Sequence, residues 1–285
     1  MSRSCQTSLS DQLLYGAQVV KHRRGKDGFL TACTPNLRKQ DIVAFLKCSQ
    51  FVVGSAKAVR GLIRDVSLLA WVGGRRRAIT NYLKSHPMKK LQIGASNNLL
   101  PGWLNTDVSR NHASVLYLDA TKLFPFDSNT FDYIMSEHMI EHVPYQAAQA
   151  MLRECYRVLR PGGRVRFATP DLRVLLALHS TEKTDNQRRY IAWALERFLP
   201  DVGECSDVFV INNFFHSWGH CFLYDQETLE YALRSVGFRG MKFYKPGASE
   251  DPNLKDLEFH GKELQSEDIN QFETMVVEGY KPKLN

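Results

Sequence analysis

The chain lacks any CxxC pair. Its six cysteines, Cys5, Cys33, Cys48, Cys155, Cys205 and Cys221, are scattered, which fits reduced thiols better than a disulfide framework or a zinc ribbon. No apolar run is both long enough and free enough of charge to form a transmembrane helix. The opening residues, MSRSCQTSLSDQ, hold no apolar h-region, so no secretory signal is expected and the expected location is cytoplasmic. There is no internal repeat. Acidic residues are scarce at one end only. Residues 1–88 carry 15 Lys+Arg against 4 Asp+Glu, a balance of +11, whereas residues 89–285 carry 22 against 26, or −4. A basic end of this kind reads as a solvated surface, or as a face for an anionic partner such as a phosphorylated substrate or a membrane surface. Nucleic acid is not the expected partner.

At 285 residues the chain can form one large α/β domain with an added element, or two domains. Residues 1–50 are rich in turn residues, with one short helix expected at 41–47. Residues 51–84 read as helical. Val52, Ala56, Val59, Ile63 and Val66 recur at spacings of three and four. Gly73-Gly74 interrupts the run, and a second helix is expected at Arg76–Leu83. The bland reading is a helix packed over the core. The sharper one is a basic amphipathic face resting peripherally on anionic lipid. The expected division is therefore a basic, partly irregular helical region at 1–85 and a second domain at 86–285.

The second domain is organised around KKLQIGASNNLLPGWLNTD, residues 89–107. A short apolar strand breaks at Gly94, and a second short strand ends in Asp107. A strand that breaks at glycine lets backbone N–H groups approach a ligand, and an acid at the next strand tip can accept from a ribose diol. Further strands are expected at Val115–Leu118, 131–135, Arg164–Ala168, Met241–Tyr244 and Thr274–Gly279. A helix over Tyr145–Leu159 is stopped by RPGG, residues 160–163. A mainly helical insertion is expected at about 171–215, a helix follows at Gln226–Val236, and 246–270 reads as a polar loop. Alternation of strand, loop and helix predicts a Rossmann-like, doubly wound seven-stranded sheet, mostly parallel, whose ligand sits outside the carboxyl ends of the strands.

These pieces in combination resemble the class I S-adenosylmethionine-dependent methyltransferases, most closely the type 11 group. The resemblance spans roughly residues 89–238. It is carried by LQIGAS, LNTD, LDAT, FPFDSNTFDYIMSEHMIEHV and LRECYRVLRPGGRVRFATPD. The tail HSWGHCFLYDQETLEYALRSVGF is similar to that of methyltransferases of glycan and surface-polysaccharide assembly. The resemblance implies an antiparallel last strand and S-adenosylmethionine as cofactor. It also implies site roles. Gly94, Ala95 and Ser96 would lie against the methionine part, Asp107 would hold the ribose hydroxyls, Asp119 and Ala120 would face the adenine, and Ser136 and Glu137 would border the sulfonium. One departure stands out: the family has G-x-G after the first strand, and this chain has G-A-S. For Asp119 the competing reading is a turn or N-cap acid in DATKL.

The histidines carry two further readings. HMIEH, residues 138–142, matches H-x-x-E-H, an inverted zinc-peptidase pattern, which would make Glu141 the base of a zinc hydrolase. Pro144 cuts that run short and no third ligand is evident at a characteristic spacing, so no metal is expected. His138 lies just past the fourth strand, where a histidine could take a proton from an acceptor hydroxyl. His216 and His220 flank an aromatic stretch and are expected to line the acceptor pocket. The expected activity is methyl transfer to a small-molecule or glycan acceptor, in surface-polysaccharide or secondary metabolism. The zinc hydrolase and an inactive cofactor-fold binding module are the alternatives. The sequence fixes neither the acceptor nor the oligomeric state.

Overall fold

The computed structural model describes residues 74–109 and 111–283. The helices expected at 41–47 and over 51–72, and the lipid-facing surface they would form, lie outside the described residues. Residues 74–85 form the first described helix, α1. It buries Ile79 and Tyr82 in the main core. The Tyr82 hydroxyl donates to the carbonyls of Lys90 (2.8 Å) and Gly102 (3.0 Å). The expected boundary at 85/86 therefore falls inside a packed unit, because the last turns of the basic region supply core side chains.

Among the described residues, seven strands form one sheet: β1 (Lys90–Ile93), β2 (Leu104–Asp107), β3 (Leu116–Tyr117), β4 (Phe131–Glu137), β5 (Leu159–Pro170), β6 (Arg239–Tyr244) and β7 (Thr274–Tyr280). Their spatial order is β3-β2-β1-β4-β5-β7-β6. The pairs among β1 to β5 are parallel, and β7 runs antiparallel to both β5 and β6. The order reverses between β1 and β4, so the crevice for a ligand opens at the carboxyl tips of those two strands.

Helices α2 (Tyr145–Val158) and α6 (Gln226–Ser235) join α1 on one face, over Leu91, Ile93, Phe131 and Ile134. α2 buries Ala148, Met151, Leu152, Cys155 and Val158, the stripe its periodicity predicts. The Asp225 side chain accepts from Thr228 N–H and caps α6. The opposite face is different. Leu100, Trp103, Met135 and Leu254 make a small apolar cluster there, and the buried Arg166 sits between Glu258 and Glu278.

RPGG is not a stop followed by a gap. β5 already begins at Leu159 and carries RPGG within it, with a register irregularity opposite Phe131–Tyr133. Gly162 has φ +80°, and a Cβ at Gly163 would meet the carbonyls of Arg160 and Asp132 at 2.9 Å. The two glycines therefore serve a kinked strand rather than a loop.

After β5 the chain forms α3 (Leu172–Ala177), α4 (Asp185–Phe198) and α5 (Asp207–His216). They share a second apolar core, which includes Leu175, Tyr190, Leu195, Val210 and Phe214. α4 starts with a capping box between Thr184 and Gln187. The polar stretch expected to be loop at 246–270 contains α7 (His260–Leu264) and most of α8 (Glu267–Glu273). Their Leu264 and Ile269 close the second core. No helix among the described residues is long and apolar enough to cross a membrane.

Candidate active site

A cavity of about 420 Å³ lies at the strand tips. β1 ends at Ile93, and the chain turns at Gly94 with φ +73°. A Cβ at Gly94 would approach Met139 Cγ to 2.6 Å and Met139 Cβ to 2.8 Å. Glycine is thus required both by the left-handed turn and by the Met139 side chain packed on it. Ser96, the residue that departs from the family pattern, is itself left-handed at φ +43°. Its N–H donates to Asp107 Oδ2 at 2.9 Å, and Ser109 N–H donates to Asp107 Oδ1 at 2.6 Å. The two bonds fix the carboxylate at the cavity rim. Each oxygen keeps a lone pair for a further donor.

β4 ends in Ser136 and Glu137. Ser136 is buried, and its hydroxyl has no hydrogen-bond partner among the described residues. Glu137 accepts from the backbone N–H groups of Phe259 and His260 and from Asn98 Nδ2. Burial pushes its carboxyl up, against the lowering effect of these donors. Glu137 therefore bolts the segment before α7 onto the strand tips as well as lining the cavity.

Beyond Glu137 the chain enters His138 with φ +43°. The His138 ring nitrogens face Thr274 Oγ1 (3.0 Å) and Glu141 Oε1 (3.2 Å), and its ring stacks on His260 with centroids 3.7 Å apart. Burial alone would lower the His260 pKa, but Glu263, Glu273 and Glu137 outweigh it and raise the group to about 9. Glu273 also accepts from the Tyr190 hydroxyl at 2.5 Å.

Ile140–His142 is a single 3-10 turn. His138, in the left-handed conformation, lies before it. The helical face that H-x-x-E-H needs for a His138–His142 metal pair is therefore not formed. Glu141 is fully buried. Its charged form is held against burial by His138, which lowers its pKa.

Among the described residues, three of the six non-glycine residues with positive φ, namely Ser96, His138 and Trp218, line the cavity. Backbone strain is thus concentrated where a ligand would sit. The far wall comes from the helical insertion: Trp193, Arg197 and Phe198 of α4, Phe214 of α5, then Trp218 and His220. Phe198 and Phe214 both meet the Trp218 ring edge-on, at 4.9 and 5.4 Å. His220 Nδ1 lies 2.7 Å from the Phe214 carbonyl, and burial lowers its pKa.

The structure brings Gly94, Ala95, Ser96, Asp107, Glu137, His138 and His220 to this one cavity. Asp119, Ala120, Ser136 and His216 are not among its lining residues. Asp119 Oδ1 accepts from Thr121 N–H (2.9 Å) and Thr121 Oγ1 (2.6 Å), the turn geometry of the competing reading. His216 is exposed at the C-terminus of α5, so the pocket position expected of it is not where it lies. Sequence reasoning passed over His260, Glu263 and Glu273. The available signal was the spacing of Leu264, Ile269 and Phe272, an apolar stripe hidden in a polar stretch.

A nucleoside with a charged sulfonium tail fits these residues. The glycine turn leaves room at the β1 tip, Asp107 presents an anchored carboxylate, and the acidic groups Glu137 and Glu141 suit a cationic centre.

A methyltransferase-domain family model, type 11, matches residues 74–167. Phosphoethanolamine N-methyltransferase 2 of Caenorhabditis elegans is 25% identical over 138 residues, 48% of this chain and 29% of that protein. The chain thus spans under a third of the length of this curated relative. Among solved structures, an S-adenosylmethionine-dependent methyltransferase from Archaeoglobus fulgidus is 16% identical, with a TM-score of 0.42 over 74% of this chain and 93% of the other. Haemonchus contortus phosphoethanolamine N-methyltransferase 2, in complex with phosphomonomethylethanolamine and S-adenosylhomocysteine, is 17% identical, with a TM-score of 0.39 over 70% and 50%. At these scores the structural likenesses carry no argument of their own. The match of residues 74–167, a stretch that includes β1 to β4 of the seven-stranded sheet, gives this chain a methyltransferase domain of type 11 over that stretch.

Proposed function

We propose that this protein transfers a methyl group from S-adenosylmethionine to a small-molecule acceptor. The observation that carries the reading is the single cavity shared by the β1, β2 and β4 tips and the aromatic wall of the insertion. Its volume lies within the roughly 300–1,000 Å³ of small-molecule sites. On this reading Gly94, Ala95 and Ser96 border the methionine part, and Asp107 accepts from the ribose hydroxyls. Glu137 flanks the sulfonium, with Ser136 behind it in β4. The adenine end reaches past the lined cavity toward Asp119 and Ala120.

The cofactor supplies an electrophilic methyl on an activated leaving group. The protein's part is therefore mostly to hold the acceptor in line with it. Trp193, Phe198, Phe214 and Trp218 offer ring faces and edges against which an acceptor ring, including a sugar, can pack. His138 and His220 are the proposed polar contacts on the acceptor side. A glycan acceptor, a surface-polysaccharide pathway and a peripheral membrane contact through the basic N-terminal region belong to this proposal as its finer part.

The test has two stages. Calorimetry with S-adenosylhomocysteine should give saturable binding that Asp107→Ala weakens. Labelled methyl transfer from the donor into pooled small-molecule and glycan extracts should then mark an acceptor, with Asp107→Ala as the blank. Equal donor binding by parent and Asp107→Ala overturns the ribose assignment. Absence of any labelled product from every pool overturns the activity.

A further inference from the structure

The 3-10 turn Ile140–His142 and the segment that follows α5 meet at the cavity wall. There Glu141, His142 and His220 each offer one ligand atom, all within 4.8 Å of one another. All three residues line the cavity. We propose that Glu141, His142 and His220 form a divalent metal site of the two-histidine, one-carboxylate kind, with its remaining positions open to the cavity.

The geometry is built rather than accidental. The two segments, almost 80 residues apart in sequence, are tied together by their backbones. Cys221 N–H and Phe222 N–H both donate to the Glu141 carbonyl, at 2.7 and 3.1 Å. Cys221 Sγ–H reaches the His142 carbonyl at 3.3 Å. The ligand-bearing residues are thus held in register before any ion arrives.

The second layer around the ligands is also in place. The Phe214 carbonyl accepts from His220 Nδ1–H at 2.7 Å, which fixes the tautomer and leaves the Nε2 lone pair for a metal. This is the pattern usual behind a metal-ligating imidazole. Glu141 Oε2 accepts from Thr169 Oγ1 at 3.0 Å. Glu141 Oε1 is buried and faces His138 Nδ1 at 3.2 Å. A fully buried carboxylate is costly unless donors or positive groups meet it, and Thr169 and His138 keep this one ionised and oriented as a ligand should be. The ring nitrogens of His142 make no hydrogen bond among the described residues.

Ligand atoms around a tetrahedral ion at about 2.1 Å stand roughly 3.4 Å apart. The trio therefore closes onto an ion by rotation of its two imidazoles, which are only half-buried. A donor set of two nitrogens and one carboxylate oxygen suits zinc, cobalt or iron(II) rather than magnesium. On the methyltransferase reading, the open positions would take an oxygen of the acceptor. The binding claim itself does not rest on that reading.

The experiment uses the full chain stripped with chelator, without donor or acceptor. It is titrated with Zn²⁺ in a calorimeter and with Co²⁺ in a spectrophotometer. The expected result is one equivalent of either ion, visible Co²⁺ bands without a thiolate charge-transfer band, and no competition from Mg²⁺. His142→Ala and His220→Ala, each at a half-buried position, should lower the affinity at least 100-fold and abolish the rise in melting temperature with Zn²⁺. His179→Ala, at an exposed histidine outside the trio, should change neither. Uptake unaltered in both His142→Ala and His220→Ala overturns the site, because the ion then sits elsewhere among the nine histidines and six cysteines. Thiolate bands, or no uptake by the parent, overturn it equally. These readouts need no methyl transfer, so a failed activity assay leaves the result standing.

Discussion

Asp107 carries more than one duty at the cavity rim. Its carboxylate fixes the Ser96 and Ser109 N–H groups, so the loop on either side of β2 depends on it before any ligand does. Asp107→Ala should weaken S-adenosylhomocysteine by about 3–6 kcal/mol, the worth of two charge-assisted hydrogen bonds, or at least about 100-fold. Asp107→Asn keeps one acceptor oxygen and should fall between the two, which calorimetry on the three proteins would show. Gly94 is the second informative residue. Gly94→Ala meets both a left-handed backbone and the Met139 side chain, so unfolding in denaturant should show a loss of about 2–5 kcal/mol. Adding Met139→Ala removes the Cγ contact but leaves the Cβ at 2.8 Å, and should recover part of that loss relative to Met139→Ala alone. If the double variant recovers nothing, the Met139 Cγ contact is not what demands glycine. Ser96 shows what a motif can and cannot say. G-A-S looks like a defect in a glycine loop, yet the serine takes the left-handed conformation, and its N–H reaches the acid the motif is meant to serve.

Between the sheet and the cavity, the elements divide into those that sequence periodicity exposes and those held by polar contacts over long separations. β1 and β4 carry buried apolar residues ahead of their tips, β2 is marked by the acid that ends it, and α2 has a clean stripe, so each was legible. The segment 246–273 was not. It is fastened by ions and backbone groups. Arg166 donates to Glu258 (2.6 Å), to Glu278 (2.5 Å) and to the Ala248 carbonyl (2.9 Å), and Glu137 holds the start of α7. No period of two or 3.6 reports such contacts. Nor does any spacing report that His220 lies beside Glu141, a pairing made by the turn at one strand tip and a segment after α5. RPGG was read as an end because proline and glycine stop helices, whereas here the glycines let a kinked strand pass close to its neighbour. The Arg166 cluster gives a test at this scale. Arg166→Ala leaves two buried carboxylates uncompensated and should cost about 3–5 kcal/mol in denaturant unfolding. Adding Glu258→Gln and Glu278→Gln should recover part of it. The start of α4 gives a smaller one. Thr184→Ala removes the capping box ahead of Trp193 and Arg197 and should cost about 1 kcal/mol, with donor affinity unchanged.

At the scale of the molecule, the two apolar cores meet through a charged seam. The main core lies under the helices on one face of the sheet, and the second core lies under α4, α5, α7 and α8. His260 stands on that seam, stacked on His138, with Glu273 at 3.0 Å and Glu263 at 3.8 Å. Glu137 accepts from its backbone N–H, and the Tyr190 hydroxyl donates to Glu273 from α4. The folded-state pKa of about 9 lies above the unfolded value of about 6.5. A raised basic group of this kind contributes stability in full below the unfolded value and loses it as pH rises through the folded one. The gain should therefore be complete at about pH 6 and gone by about pH 10, worth on the order of 3 kcal/mol. Glu263, held down by His260, has the opposite sign: its part is present above its unfolded pKa of about 4.3 and is lost as pH falls through its folded value. The seam is thus strongest between the two limits. Melting temperature followed from about pH 6 to pH 10 should fall through about pH 9 in the parent, and His260→Gln should flatten that alkaline limb while lowering stability near neutrality. A limb that persists in His260→Gln would mean that another group carries it. Because Phe259, His260 and Glu263 also line the cavity, loosening the seam should weaken donor binding over the same alkaline range, which calorimetry at paired pH values would read separately from melting.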